Sequence, residues 1–132
     1  ALLGRSCKLE HHADGGPRSS MGWEIYPRGL AAVLQRYSAM GLPLFITENG
    51  IATGDDELRC RFLHDHIEVI ANALDDGLEV LGYLHWSLLD NFEWSMGTGP
   101  RFGLVAVDYS TQARIARPSA TFFAAICRHN GL

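Results

Sequence analysis

Apolar and polar positions along the chain fall into two rhythms. From Pro27, which fits a first helical turn, Leu30, Val33, Leu34 and Tyr37 recur at spacings of three and four and predict a helix. Met40-Gly41 ends it, and Pro43 just beyond is a stop signal. The rhythm then changes. Leu44-Phe45-Ile46-Thr47-Glu48 is a β-prone run without alternation, the pattern of a strand buried on both faces of a parallel sheet. Asn49-Gly50 breaks it, because both residues tolerate positive φ. Asp55 or Asp56 then caps a second helix. Its apolar stripe is Leu58, Phe62, Leu63, Ile67, Ile70, Ala71 and Leu74; Arg59, Arg61, Asp65, Glu68, Asp75 and Asp76 form its wet face, and Gly77 closes it. Val80 to Trp86 reads as a second buried strand, with Gly82 inside it marking a close backbone approach.

Strand, helix and strand with short connections predict a right-handed parallel βαβ unit. Phe102 to Tyr109 alternates loosely and predicts an extended segment. Pro118 opens a last helix that buries Phe122, Phe123 and Ile126 and ends near Gly131. Residues 1–20, with Gly15-Gly16-Pro17 and Ser19-Ser20, lack periodicity and read as a loop or disordered terminus. The fold class is therefore α/β. Two parallel strands alone would leave unpaired edges and need cover on both faces. Further strands are expected from a larger parent protein or from another chain.

Composition narrows this picture. A chain of 132 residues suits one domain, and 47% apolar with 20% charged residues is ordinary for a soluble globular protein. A net charge of -4 without a basic run argues against nucleic acid and anionic membrane surfaces. No apolar run approaches the ~20 residues that span a bilayer. The opening Ala1 to Arg5 is too short for the apolar core of a signal peptide, and without an initial Met a start outside this sequence is an open expectation. Cys7, Cys60 and Cys127 are odd in number and lack metal spacing, so neither a disulfide framework nor a zinc site is indicated. Cys60 and Cys127 fall in helical patterns as small core residues, and free thiols suit a cytoplasmic location. His11-His12 has no neighbouring ligands and reads as solvated. No metal and no cofactor is indicated.

The chemistry-bearing residues gather at strand ends. Glu48 terminates the first strand at its carboxyl end, where α/β folds keep their ligand sites, and packing gives it little reason to be there. Trp86 ends the second strand, followed by Asp90, Asn91, Glu93 and Trp94. Indole faces stack on the apolar C–H face of a sugar ring, while carboxylates and amides hydrogen-bond its hydroxyls. Ordinary burial accounts equally well for the two indoles on spacing alone. Paired carboxylates at such a rim suggest glycoside hydrolysis, which needs one ionised and one protonated group about 5–5.5 Å apart when configuration is retained. Glu48 and Glu93 suit such a pair by position; either also suits a carboxylate gripping two sugar hydroxyls.

Ile46-Thr47-Glu48-Asn49-Gly50, together with Trp86-Ser87-Leu88-Leu89-Asp90-Asn91-Phe92-Glu93-Trp94, resembles glycoside hydrolase family 1, the family of β-glucosidases. Met21 to Pro27, the set Arg59, Phe62, Leu63 and His66, and the stretches Arg101 to Val105 and Val107 to Tyr109 agree with it, so the likeness covers residues 21–132. The resemblance implies a (β/α)8 TIM barrel, of which these residues are the last two strand–helix units, strands seven and eight. It implies Glu48 as the catalytic nucleophile, Glu93 as the carboxylate gripping two hydroxyls of the terminal sugar, Trp94 as a hydrogen-bond donor to that sugar and Trp86 as its stacking platform. The partner implied is a β-glucoside or related oligosaccharide. Phospho-sugars are disfavoured, since an anionic Glu93 repels a phosphate.

Departures bound the expectation. The Asn-Glu-Pro motif that carries the family's acid/base glutamate does not occur in the sequence, and Thr98 stands where an aromatic is common. A barrel of this type needs about 250 residues. The expected function is hydrolysis of terminal β-D-glycosyl residues with retention through a glycosyl-enzyme at Glu48, with the isolated chain inactive for want of an acid and of the missing amino-terminal barrel portion. The alternative is a non-catalytic sugar-binding or self-associating module derived from that family.

Overall fold

The structure, a computed structural model, describes residues 16–132. Helix α1 spans Pro27–Ser38, strand β1 Leu44–Asn49, helix α2 Asp56–Asp75 and strand β2 Val80–His85. A 3-10 turn at Trp94–Met96 follows, then β3 (Val105–Val107), β4 (Arg114–Ala116) and helix α3 (Pro118–His129). β1 and β2 pair in parallel, with Leu44 beside Val80 and Asn49 beside His85. β3 and β4 form an antiparallel hairpin.

Element ends follow local chemistry. Pro27 opens α1, and Gly41, at φ +69°, takes the left-handed turn that follows it. Asp55 caps α2 by accepting from the amides of Glu57 and Leu58, which satisfies two orphan donors of the first turn. Leu34, Ile70 and Ala73 form a core between the helices and the sheet, joined by Leu44, Ile46, Val80 and Tyr83. This layer holds the strand ends that carry the site.

Several expectations change. The two strands are not buried on both faces: Phe45 is 52% and Leu81 63% exposed, because the helices cover one face and nothing among the described residues covers the other. Arg59 leaves the wet face of α2 and is fully buried, whereas Ala71 and Leu74 of the expected apolar stripe are exposed. Arg59 is buried because carbonyls from two loops and the Asp56 carboxylate meet its guanidinium. Cys127 is exposed and Cys60 only half-buried, so neither is a core residue. The close approach at Gly82 is to the ring of Phe45, 2.7 Å from a built Cβ, and not to backbone. β4 was not expected from the pattern, since all three of its residues are exposed. Cys7 and His11-His12 lie outside the described residues, as do 1–15 of the expected amino-terminal loop. Residues 16–20 form a loop fastened by Ser19 N–H to the Trp23 carbonyl (2.8 Å) and Ser20 N–H to the Ala52 carbonyl (2.8 Å).

Four buried or paired groups make this fold acid-sensitive. Burial pushes the His85 imidazole down to about 4 from 6.5, with the nearby Arg59 charge adding to it. Burial likewise lowers His66, against the opposing pull of its contact with the Phe62 carbonyl. The carboxyls of Asp56 and Asp90 lie below the usual range; burial would raise them, but hydrogen bonds from Ser119 and from Arg117 respectively, with further partners, outweigh it. A neutral buried histidine stabilises the fold fully above its unfolded pKa, and that contribution is lost as pH falls towards the folded value. The denaturant midpoint should therefore drop between pH about 6.5 and about 4 as the histidines charge, and again below about 3.8 as the carboxylates protonate. His85→Gln should shrink the first step; equal midpoints at pH 7 and pH 4.5 in the parent chain would contradict this account.

Candidate active site

A cleft of about 700 Å³ opens at the carboxyl ends of β1 and β2, and Glu48, Trp86, Glu93 and Trp94 all line it. The four positions come from two separate stretches of chain, brought side by side by the parallel pairing of the strands. At the junction, the Trp86 amide donates to the Asn49 carbonyl at 2.9 Å. The loop after Glu48 runs so close to Trp86 that a Cβ built on Gly50 falls 1.5 Å from the Trp86 carbonyl oxygen. Only glycine permits that approach. The Trp86-Ser87 peptide is cis.

Tyr83 reaches from β2 to the residue beside Glu48. Its hydroxyl donates to Asn49, whose Oδ1 lies at 3.0 Å and whose carbonyl oxygen at 3.2 Å. Burial raises the Tyr83 phenol, so it stays a donor at neutral pH. With its oxygen engaged, the Asn49 side chain has its amide N–H groups left for the cleft that it lines.

Trp94 projects at the mouth, 81% exposed, with φ +45°. Left-handed backbone suits glycine and is disfavoured for a bulky side chain by about 1–2 kcal/mol. A turn closes around it: the Glu93 amide donates to the Gly97 carbonyl at 2.7 Å and the Met96 amide to the Glu93 carbonyl at 2.8 Å. An exposed indole held in a disfavoured conformation adds little to the core.

Asp90, grouped with the cleft residues on sequence grounds, serves another purpose. Its side chain is 1% exposed and absent from the cleft lining. It accepts from Arg117 at 2.9 Å, Arg101 at 3.3 Å, and the amides of Gly103 (2.9 Å) and Val107 (3.3 Å). It anchors the loop that bears Glu93 and Trp94 to the β3–β4 hairpin. Asn91, in contrast, does line the cleft. Sequence reasoning gave no role to Trp23 or Phe102, which stand on the cleft wall with ring centroids 6.2 Å apart. A large aromatic in the aperiodic stretch before α1 was the available signal for Trp23, since such a residue has no helix or strand face to fill.

A parallel βαβ unit with carboxylates and indoles gathered at the carboxyl ends of its strands defines an α/β protein whose cleft lies where such folds bind ligands. Residues 5–132 match Glycosyl hydrolase family 1, and the chain belongs to that family. It is 50% identical over 117 residues to a β-galactosidase of Sulfolobus acidocaldarius, covering 88% of this chain and 24% of that protein. Among solved structures it resembles a β-glycosidase from Pyrococcus horikoshii with a TM-score of 0.88 and 48% identity, covering 91% of this chain and 29% of the other. The β-glucosidase from Thermotoga maritima in complex with glucoimidazole superposes with a TM-score of 0.87 and 39% identity, over 92% and 30% of the two chains. The chain thus spans less than a third of the length of these relatives, and the solved ones are (β/α)8 barrels.

Two substitutions separate scaffold from cleft. Asp90→Ala should lower the unfolding free energy by about 3–5 kcal/mol in denaturant titration, because it strands buried charge at Arg117. Trp94→Gly should leave stability unchanged or raise it by up to about 1 kcal/mol, as the left-handed strain is relieved and little burial is lost.

Proposed function

We propose that this chain is the carboxy-terminal part of a retaining β-glucosidase, contributing strands seven and eight of a (β/α)8 barrel. The observation that carries the reading is the convergence of Glu48, Trp86, Glu93 and Trp94 on one cleft at the carboxyl ends of parallel strands. The substrate is a terminal β-D-glycosyl residue, a β-glucoside or related oligosaccharide, as the names of the relatives suggest. Glu48 is the nucleophile. Its carboxylate attacks the anomeric carbon, the bond to the leaving oxygen breaks, and the sugar is carried as a glycosyl ester. Water then attacks the same carbon, losing its proton to the barrel's acid/base group, as the ester bond to Glu48 breaks and the sugar leaves with its configuration retained. Glu93 accepts hydrogen bonds from two hydroxyls of the sugar, Trp94 donates one through its indole N–H, and Trp86 stacks beneath the ring.

The leaving oxygen needs a proton, and general-acid assistance is worth about 10²–10⁴-fold. No Asn-Glu-Pro motif supplies that acid in the sequence. A cleft walled on one side only also neither excludes water nor fixes the sugar. The isolated chain should therefore turn over an activated aryl β-glucoside no faster than its Glu48→Gln variant; turnover above that control would overturn the predicted inactivity. Once the preceding part of a family barrel is fused to it, an activated 2-fluoro-glycoside should leave a mass adduct on Glu48 and none on the Glu48→Gln protein. An adduct on another residue would remove Glu48 from its role.

A further inference from the structure

We propose that Arg59 is a positioning residue that sets the spacing between the two loops of the cleft. The proposal rests on the reading of Glu48 and Glu93 as parts of one sugar site, and adds a residue that touches neither the sugar nor the reacting atoms.

Arg59 is 0% exposed, in the first turn of α2. Arginine is almost never buried so completely unless paired; here both terminal nitrogens have partners, while the buried Nε has none among the described residues. The carbonyl partners lie on the two loops that continue from the cleft residues. Nη2 donates to the Thr53 carbonyl, on the loop that leaves Glu48, and to the Arg101 carbonyl at 3.0 Å, on the loop that leaves Glu93 and Trp94. The Arg101 carbonyl also accepts from the Thr53 amide at 3.0 Å, so one oxygen is shared by backbone and guanidinium. Nη1 pairs with Asp56, and the Asp56 carboxylate in turn accepts from the Ser119 amide (2.8 Å) and hydroxyl (2.6 Å) at the start of α3. The guanidinium is thereby fixed in orientation by a group that is itself fixed.

The β1–β2 ladder ends at Asn49 and His85, so it does not govern where Thr53 and Arg101 lie. The junction at Arg59 does. A planar fork can serve two carbonyls and a carboxylate at once, which the compact ammonium of lysine on its flexible stem cannot reproduce. The further links from Arg101 to Asp90 and from Ser87 N–H to the Phe102 carbonyl (3.3 Å) carry the constraint back to the loop bearing Glu93 and the chain beside Trp86. Arg59 thus acts on the cleft through main-chain atoms, at a distance from any sugar.

The test is the tryptophan indole N–H spectrum of the 15N-labelled full chain, alongside amide exchange. Arg59→Lys should shift or split the Trp86 and Trp94 signals while β1 and β2 keep their protection. Leu34→Ala, which removes side-chain volume from the core between helices and sheet, is the control for general loosening. It should reduce protection in α1 and leave both indoles in place. Unchanged indoles in Arg59→Lys, or indoles moved equally by Leu34→Ala, would overturn the proposal. Should Arg59→Lys fail to fold, Asp56→Asn decides: it keeps the guanidinium but weakens its anchor, and shifted indoles support the role while unshifted ones refute it. The spectrum reports cleft geometry and not turnover, so it answers even where the adduct experiment fails at Glu48.

Discussion

A buried carboxylate with four donors around it is the interaction on which this structure hangs. Asp90 accepts from two guanidinium groups and two main-chain amides, and so joins the loop after β2, the β3–β4 hairpin and the residue that caps α3. An ion pair cut off from water gains little net stability over apolar packing, yet removing one partner is severe. What the arrangement supplies is direction: the donors come from the loop carrying Arg101 and Gly103, from β3 and from the residue before α3, and one carboxylate holds them together. Asp56 and Arg59 form a second knot of the same kind, joined to the first through Arg101. Both knots bond to the loops that continue from the cleft residues.

The helices were legible because their signals are local. Pro27, Gly41, Asp55 and Gly77 mark ends by backbone chemistry that operates within one turn, and the observed limits follow them. The parallel pair was legible from two apolar runs separated by a helix. Their exposure was not, because an apolar run states that cover is required without saying what provides it. Phe45 and Leu81 keep the composition of strands covered twice while the described residues cover them once. That mismatch agrees with a chain that spans under a third of its solved relatives.

The polar residues misled in both directions, for one reason. A charge on a helix reads as solvated unless its partners are known, and the partners of Arg59 include a carbonyl 42 positions away. Asp90 reads as a cleft residue because it stands among cleft residues in sequence, but its partners at Gly103, Val107 and Arg117 turn it inward. That Glu48, Trp86, Glu93 and Trp94 share one cleft was legible because strand ends and dense polar–aromatic clusters are visible in one dimension. Trp23 was missed because it reaches the cleft from a loop with no period.

The link from Asp56 to Ser119 joins positions 63 apart in the sequence. The amino end of α3 therefore pairs with a residue made long before it, and during synthesis that bond cannot exist until Ser119 has been made. The loops after β1 and β2 are translated while their outer clamp is still missing. Contacts of such sequence separation close late because loop entropy must be overcome first. The position of one carboxylate thus ties the cleft's outer clamp to a segment translated well after the strands that carry the cleft.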